Sequence, residues 1–225
     1  MPPHDERYRY SQEWFDIVNS AWSNSKPFNH NGKYWQLKDV LTEPLPNRKP
    51  TIVNAGGSGE GKAFAIRNAD LLFTVASDLK KSEPEVADLK AKAKVEGRNG
   101  GLLTPIMIIC RPTEEEAKDF FKYYGENHLD SAAAEFIVEG LIADANTFPR
   151  DVLEGLRKKF GSIYGSHTII GTPRQVAGEL YNVEKAGFDG GAIAFVDYIK
   201  EFPYFRDEVL PLLEEAGLRR PVQRS

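Results

Sequence analysis

From Thr51 onward, short apolar runs alternate with amphipathic stretches, and this pattern limits the chain to few folds. Thr51–Ala55, Asp70–Ala76, Leu102–Cys110, His167–Ile170 and Gly191–Val196 are nearly continuous apolar runs. Continuous apolarity, as opposed to strict alternation, is expected of strands covered on both faces in a parallel sheet. Between them, helical spacing predicts helices over Glu60–Asn68, Glu83–Glu96, Thr113–Tyr124, Pro173–Ala186 and Tyr204–Ala216. Thr113-Glu114-Glu115-Glu116 is a capping box, and Thr172 with Pro173 supplies an N-cap and a first helical residue. Gly187 closes that second helix. Residues 127–160 read as two helical pieces broken at Asp144-Ala145-Asn146-Thr147. A strand–helix alternation of this kind is an α/β fold with a parallel sheet, either a barrel or a doubly wound sheet.

The first fifty residues differ. Tyr10, Trp14, Ile17, Val18, Ala21 and Trp22 recur at spacings of three and four, which predicts a helix over residues 9–22. A turn-rich stretch follows, and its Asn31-Gly32 pair between Phe28 and Tyr34-Trp35 predicts a β-hairpin over residues 23–50. Residues 1–225 are expected to form a single α/β domain, with 127–165 a helical insertion.

A net charge of -4 provides no basic footprint for nucleic acid and no polybasic patch for a membrane surface. The longest apolar runs, such as Pro105–Cys110, are too short to span a bilayer, and MPPHDERYRY has no apolar signal core. With one cysteine, Cys110, no internal disulfide forms, so the expected compartment is the cytoplasm. Cys110 lies in an apolar strand and reads as a small buried hydrophobe. The four histidines His4, His30, His128 and His167 sit in unrelated contexts, so no metal site is expected.

The stretch NAGGSGEG, Asn54 to Gly61, joins a strand to a helix. It is not a P-loop, since no Gly-Lys-Ser/Thr ends it, and it lacks the G-x-G-x-x-G spacing. Its glycines nevertheless leave backbone N–H groups accessible where a helix begins, with the Ser58 hydroxyl beside them. Either a single phosphate or a plain strand-to-helix turn fits this pattern. Glu6-Arg7-Tyr8-Arg9-Tyr10 is equally two-sided: a cationic clamp for a phosphate, or a charged helix entry with tyrosines at its rim. No catalytic constellation stands out, which points to chemistry supplied by a cofactor.

Taken together, three segments resemble one family. ERYRYSQEWFDIVNSAW, then FNHNGKYWQLKDVLTEPLPNRKPTIVNAGGSGEGKAFAIRNADLLFT, then GTPRQVAGELYNVEKAGFDGGAIAFVDY are similar to the luciferase-like flavin-dependent monooxygenases. The resemblance leans to their dimethyl-sulfone and pyrimidine monooxygenase branch. It implies a TIM (β/α)8 barrel, here truncated to roughly its C-terminal half because family members are longer. It further implies an oxidoreductase that uses reduced FMN and O2 to oxygenate a small organosulfur or heterocyclic substrate, with the flavin reduced by a separate reductase. The phosphate of FMN would be held at Arg7, Tyr8, Gly57, Ser58 and Gly59. Alkanesulfonate enzymes of the family carry an arginine and a histidine where Pro105 and Met107 stand, so a neutral substrate is expected. A mobile insertion maps to 143–166, with Arg157, Lys158 and Lys159 as inward-reaching candidates. Tyr164, His167 and Tyr198 lie near strand ends and are candidates to orient substrate or exchange protons. A partial barrel has unpaired strand edges, so association, as a homo-oligomer, is expected. A non-catalytic flavin- or phosphate-binding fragment and a deazaflavin-dependent oxidoreductase are the competing readings.

Overall fold

The computed structural model describes residues 4–76, 78–144 and 166–221. Backbone contacts divide the chain into two units, Met1–Leu72 with Lys92–Gly100, and Phe73–Ala91 with Gly101–Ser225.

The first unit begins with α1 (His4–Ser23), which starts five residues before the spacing predicts. Glu and Arg are good helix formers and continue the turn backwards, so Arg7 and Tyr8 lie on the helix and not ahead of it. The stripe Tyr8, Gln12, Phe15 faces α2 (Gly59–Asn68). Tyr8 and Phe15 contact Phe64 at ring-centroid distances of 5.8 and 6.1 Å. The buried Asn68 amide exchanges hydrogen bonds with Gln12 at 3.0 and 2.6 Å and donates to Phe64 O at 2.9 Å. A buried polar group satisfied in this way fixes the pairing of the two helices, since loss of either partner would strand the other.

Strands β1 (Phe28–Asn31) and β2 (Gln36–Val40) form an antiparallel hairpin. The turn is wider than a two-residue Asn-Gly turn: Asn31 pairs with Gln36, and Gly32 N–H bonds Trp35 O across the loop at 2.9 Å. The cause is Glu13 of α1. Its carboxylate accepts from Tyr34 N–H at 3.0 Å and Trp35 N–H at 2.8 Å, and lies 3.2 Å from His30 Nε2. A side chain on Gly32 would run into this carboxylate and the His30 ring. Burial pushes the Glu13 carboxyl up, but the hydrogen bonds from Tyr34, Trp35, His30 and Lys33 outweigh it and hold it below the ordinary carboxylate range. A depressed folded-state value contributes stability that is full above the unfolded value and fades as pH falls through the folded one. Hydrogen exchange at the Tyr34 and Trp35 amides should therefore be slow and flat above about pH 5 and accelerate below about pH 4, beyond its intrinsic pH dependence. In Glu13→Gln that acid step should be absent.

The unit also holds β3 (Val53–Asn54) and β4 (Leu71–Phe73), paired in parallel through Val53–Leu71 and Asn54–Leu72. Asp70 braces the pair, accepting from Ile52 N–H at 2.9 Å and from Arg98 at 3.0 Å. The strands are shorter than the apolar runs that encode them.

The second unit is organised on β5 (Gly101–Cys110), whose Ile106, Ile108 and Ile109 are fully buried. It pairs in parallel with β6 (His167–Gly171) along Ile106–Cys110 and with β7 (Gly190–Ala194) along Leu103–Met107. Pro105 in mid-strand is permitted by a handover. Leu103 O accepts from Thr74 N–H, and on the same edge pairing with β6 begins only at Ile106. The missing donor falls between the two partners. Around these strands run α3 (Leu79–Val95), shared between the units, then α4 (Glu114–Lys122), α5 (Ser131–Asp144) and α6 (Pro173–Lys185), followed by α7 (Tyr198–Glu208) and α8 (Leu210–Glu215). A π-turn, Tyr123–Asn127, follows α4.

Thr113 caps α4 with the full capping box its sequence predicts, and Thr172, expected as an N-cap, forms a full capping box with Gln175 on α6. The predicted C-terminal helix starts six residues earlier and breaks at Val209, with Pro211 in the first turn of α8. Lys90 pairs with Asp189 at 2.9 Å, and Asp189 also accepts from Leu102 N–H at 2.8 Å. Cys110 is buried, and burial pushes its thiol up to about 11, so it stays protonated. No described helix is long and apolar enough to cross a membrane.

Candidate functional site

In the first unit, NAGGSGEG forms the turn from β3 into α2. Ser58 is the N-cap, and its hydroxyl accepts from Gly61 N–H at 3.1 Å, while Gly56 N–H is held by Asn54 Oδ1 at 2.8 Å. The N–H groups of Ser58, Gly59 and Glu60 have no acceptor among the described residues. Unpaired N–H groups and the positive end of the helix dipole coincide here, which favours an anion. Glu60 in the first turn opposes that preference, but its side chain is exposed and screened.

The glycines divide into two kinds. A methyl group on Gly56 would lie 2.7 Å from Gly61 backbone atoms, and one on Gly61 would fall 2.5 Å from Tyr8 Oη. These two let the turn close on itself and against α1. Gly57 and Gly59 are exposed, and a methyl on either would meet nothing within 4 Å. Nothing within the fold requires glycine at 57 or 59; open backbone there suits close approach by a ligand.

The same geometry brings Tyr8 to the start of α2, joining two segments separated by fifty residues of sequence. Arg7, next to Tyr8 on α1, is exposed and has no ion-pair partner among the described residues. The first unit thus gathers a tyrosine hydroxyl, a serine hydroxyl, unpaired N–H groups and a nearby free guanidinium. These are the donors that a phosphate monoester takes.

His167 and Tyr198 lie in the second unit. His167 opens β6 beside Ile106, on the face where Ile106, Ile108 and Ile169 are buried. Its Nε2 is buried without a hydrogen-bond partner, and burial lowers its pKa against the opposing pull of Glu179 and Asp78. It is a neutral imidazole on the covered side of the sheet. Tyr198 is exposed at the first residue of α7, edge-on to the buried Phe195 at 5.6 Å. Tyr164, Arg157, Lys158 and Lys159 lie outside the described residues.

Two features escape a reading by motif. The Gly56–Gly61 contact and its abutment on Tyr8 have only a weak signal, two glycines five apart. The ion pair of Arg111 with Glu201, 2.7 Å between Nη2 and Oε1, joins the end of β5 to α7 and has no sequence signal at all.

The opposite face of β5 carries Pro105 and Met107. Residues in register across a parallel sheet share a face, so Pro105 lies beside Ala192, and Met107 lies between Thr168 and Ala194. No charged side chain stands in these rows.

A family model described as "Luciferase-like monooxygenase" matches residues 2–190. The FMNH2-dependent dimethylsulfone monooxygenase of Pseudomonas fluorescens is 27% identical over 227 residues, covering 99% of this chain and 62% of that protein. The long-chain alkane monooxygenase of Geobacillus thermodenitrificans is 29% identical over 255 residues, covering 96% of this chain and 57% of its own. Among solved structures, DmoA from Hyphomicrobium sulfonivorans superposes with a TM-score of 0.84 at 22% identity, over 100% of this chain and 59% of that one. The chain spans about three fifths of the length of the relatives it matches.

Proposed function

Since the chain belongs to the luciferase-like monooxygenase family, we propose that it carries the phosphate grip of an enzyme that uses reduced FMN and O2 to oxygenate a small, uncharged substrate. The observation that carries this reading is the meeting of Tyr8 with the glycine-opened N-terminus of α2, beside the free Arg7. When bound, reduced FMN supplies the electrons that activate O2. The chain's own residues bind and orient it. Arg7 offsets the phosphate charge, and Ser58 and Tyr8 offer hydroxyl donors. The N–H groups of Ser58, Gly59 and Glu60 donate to the anion without any change in backbone.

The rows Pro105–Ala192 and Thr168–Met107–Ala194 favour an uncharged substrate, because an anion placed there would meet no cation. The relatives named for a sulfone and for an alkane are named for uncharged molecules. An organosulfur compound or a heterocycle fits this face, and a separate reductase supplies the reduced flavin.

Titration of FMN fluorescence tests the grip directly. Wild-type chain should quench FMN, and Arg7→Ala with Ser58→Ala should weaken binding by about 100-fold, since hydrogen bonds to charged groups are each worth about 1.5–3 kcal/mol. Riboflavin, which lacks the phosphate, should respond equally to both proteins. Equal FMN affinity in the two proteins, or no quenching by wild type, sinks the assignment.

A further inference from the structure

We propose that Asn99 is a site of spontaneous covalent modification, at which the backbone nitrogen of Gly100 attacks the side-chain amide and converts the residue to aspartate and isoaspartate. The sequence holds two Asn-Gly pairs, Asn31-Gly32 and Asn99-Gly100, and one Asp-Gly pair, Asp189-Gly190. A following glycine makes such a pair reactive, because no side chain shields its nitrogen from the neighbouring side-chain carbonyl carbon. The fold closes two of the three pairs and leaves one open.

Asn31-Gly32 is closed by hydrogen bonding and by packing. Gly32 N–H donates to Trp35 O at 2.9 Å, Asn31 pairs with Gln36, and the Glu13 carboxylate and His30 ring crowd the Gly32 backbone. A nitrogen held in this way cannot turn onto the Asn31 side chain unless the loop opens. At Asp189-Gly190 the carboxylate is engaged by Lys90 at 2.9 Å and by Leu102 N–H at 2.8 Å, and Gly190 lies in the ladder opposite Leu103.

Asn99-Gly100 differs on each count. Past the end of α3, Gly97 adopts a φ of 69° and sends its N–H to Lys94 O at 3.0 Å, while Arg98 N–H reaches Ala93 O at 2.9 Å. Strand β5 begins only at Gly101. Between the two, Asn99 is exposed, and neither its side chain nor the Gly100 N–H has a hydrogen-bond partner among the described residues. The pair is free to take the torsions that bring Gly100 N onto Asn99 Cγ.

The chemistry balances with water alone. Gly100 N gives its proton to solvent and bonds to Asn99 Cγ; the Cγ–Nδ2 bond breaks, and the side-chain nitrogen leaves as ammonia. Water then opens the resulting cyclic imide at one of its two carbonyls. One opening yields aspartate, and the other runs the main chain through the former side chain as isoaspartate. Either product adds a negative charge to a chain whose net charge is already -4.

The test incubates the purified chain at mildly alkaline pH and maps its peptides by mass spectrometry at intervals. A more acidic form should accumulate, with the mass change of NH2 to OH at Asn99. Asn31 should react at least about 10-fold more slowly, because its reaction waits on local opening of the hairpin loop. In unfolding concentrations of urea the two rates should converge, since both pairs are then equally free. Gly100→Ala should suppress the reaction at Asn99, and its methyl, 3.7 Å from Ala69 O, fits the fold. Equal rates at Asn31 and Asn99 in the folded chain overturn the proposal. So does an Asn99 that stays intact in the folded chain while it reacts in urea, or a Gly100→Ala chain that reacts as fast as wild type. No flavin is needed, so the result is independent of the phosphate grip.

Discussion

Replacing Glu201 with leucine is expected to destabilise the second unit by about 3 kcal/mol, read as a lowered urea midpoint at unchanged slope. Glu201 is buried and holds two partners. Its Oε1 is 2.7 Å from Arg111 Nη2, and its Oε2 accepts from Asp197 N–H at 2.8 Å. Asp197 in turn caps α7, accepting from Ile199 and Lys200 N–H groups. Without the carboxylate, Arg111 keeps its bond to Cys110 O and its seat 4.0 Å from the Phe120 ring, but its charge is left uncompensated in a largely buried place. The cost comes from that stranded charge more than from the lost attraction. Arg111→Met together with Glu201→Leu should therefore recover most of the loss, because apolar groups of similar volume often match a buried pair. A double variant as unstable as the single one would show that shape at this corner, and not charge, sets its stability.

Two neighbouring glycines should give opposite results. Gly56→Ala places a methyl 2.7 Å from the Gly61 backbone, where no flexible side chain can yield, and should cost about 1–3 kcal/mol. It should also pull the first turn of α2 away from Tyr8 and so impair FMN binding indirectly. Gly57→Ala meets no neighbour, and stability should hold or rise by a few tenths of a kcal/mol. FMN binding should nevertheless weaken, because the methyl occupies the approach to the free N–H groups. Thermal melts and FMN titrations of both variants separate the two roles. If Gly57→Ala binds FMN as well as wild type, close approach at that turn is excluded.

What the sequence revealed and what it hid follow one physical line. The capping box at Thr113, the N-cap at Thr172, the alternation of strands and helices and the glycine turn depend on neighbours within a few residues, so they can be read along the chain. The start of α1 was placed late because Glu6, Arg7 and Tyr8 carry no apolar period. Contact with Phe64 then packs Tyr8 against α2. The hairpin width depends on Glu13, eighteen residues before Asn31, and no turn propensity encodes it. His167 illustrates the converse. Its position near a strand end suggested chemistry, yet the register with Ile106 puts it on the covered face.

Pro105 also determines alignment. A slip of β6 by one residue along β5 would reverse every side chain, and burial of Ile108 and Ile169 forbids it. A slip of two residues would keep each side chain on its own face, and hydrophobicity could not detect the error. On the β6 side of β5 the alternate residues donate, as Arg111 N–H does to Gly171 O. A shift of two toward the N-terminus would call for a donor at residue 105, where proline has none. One absent hydrogen atom thus acts as a proofreader, rejecting the mispairing that the apolar pattern alone would accept.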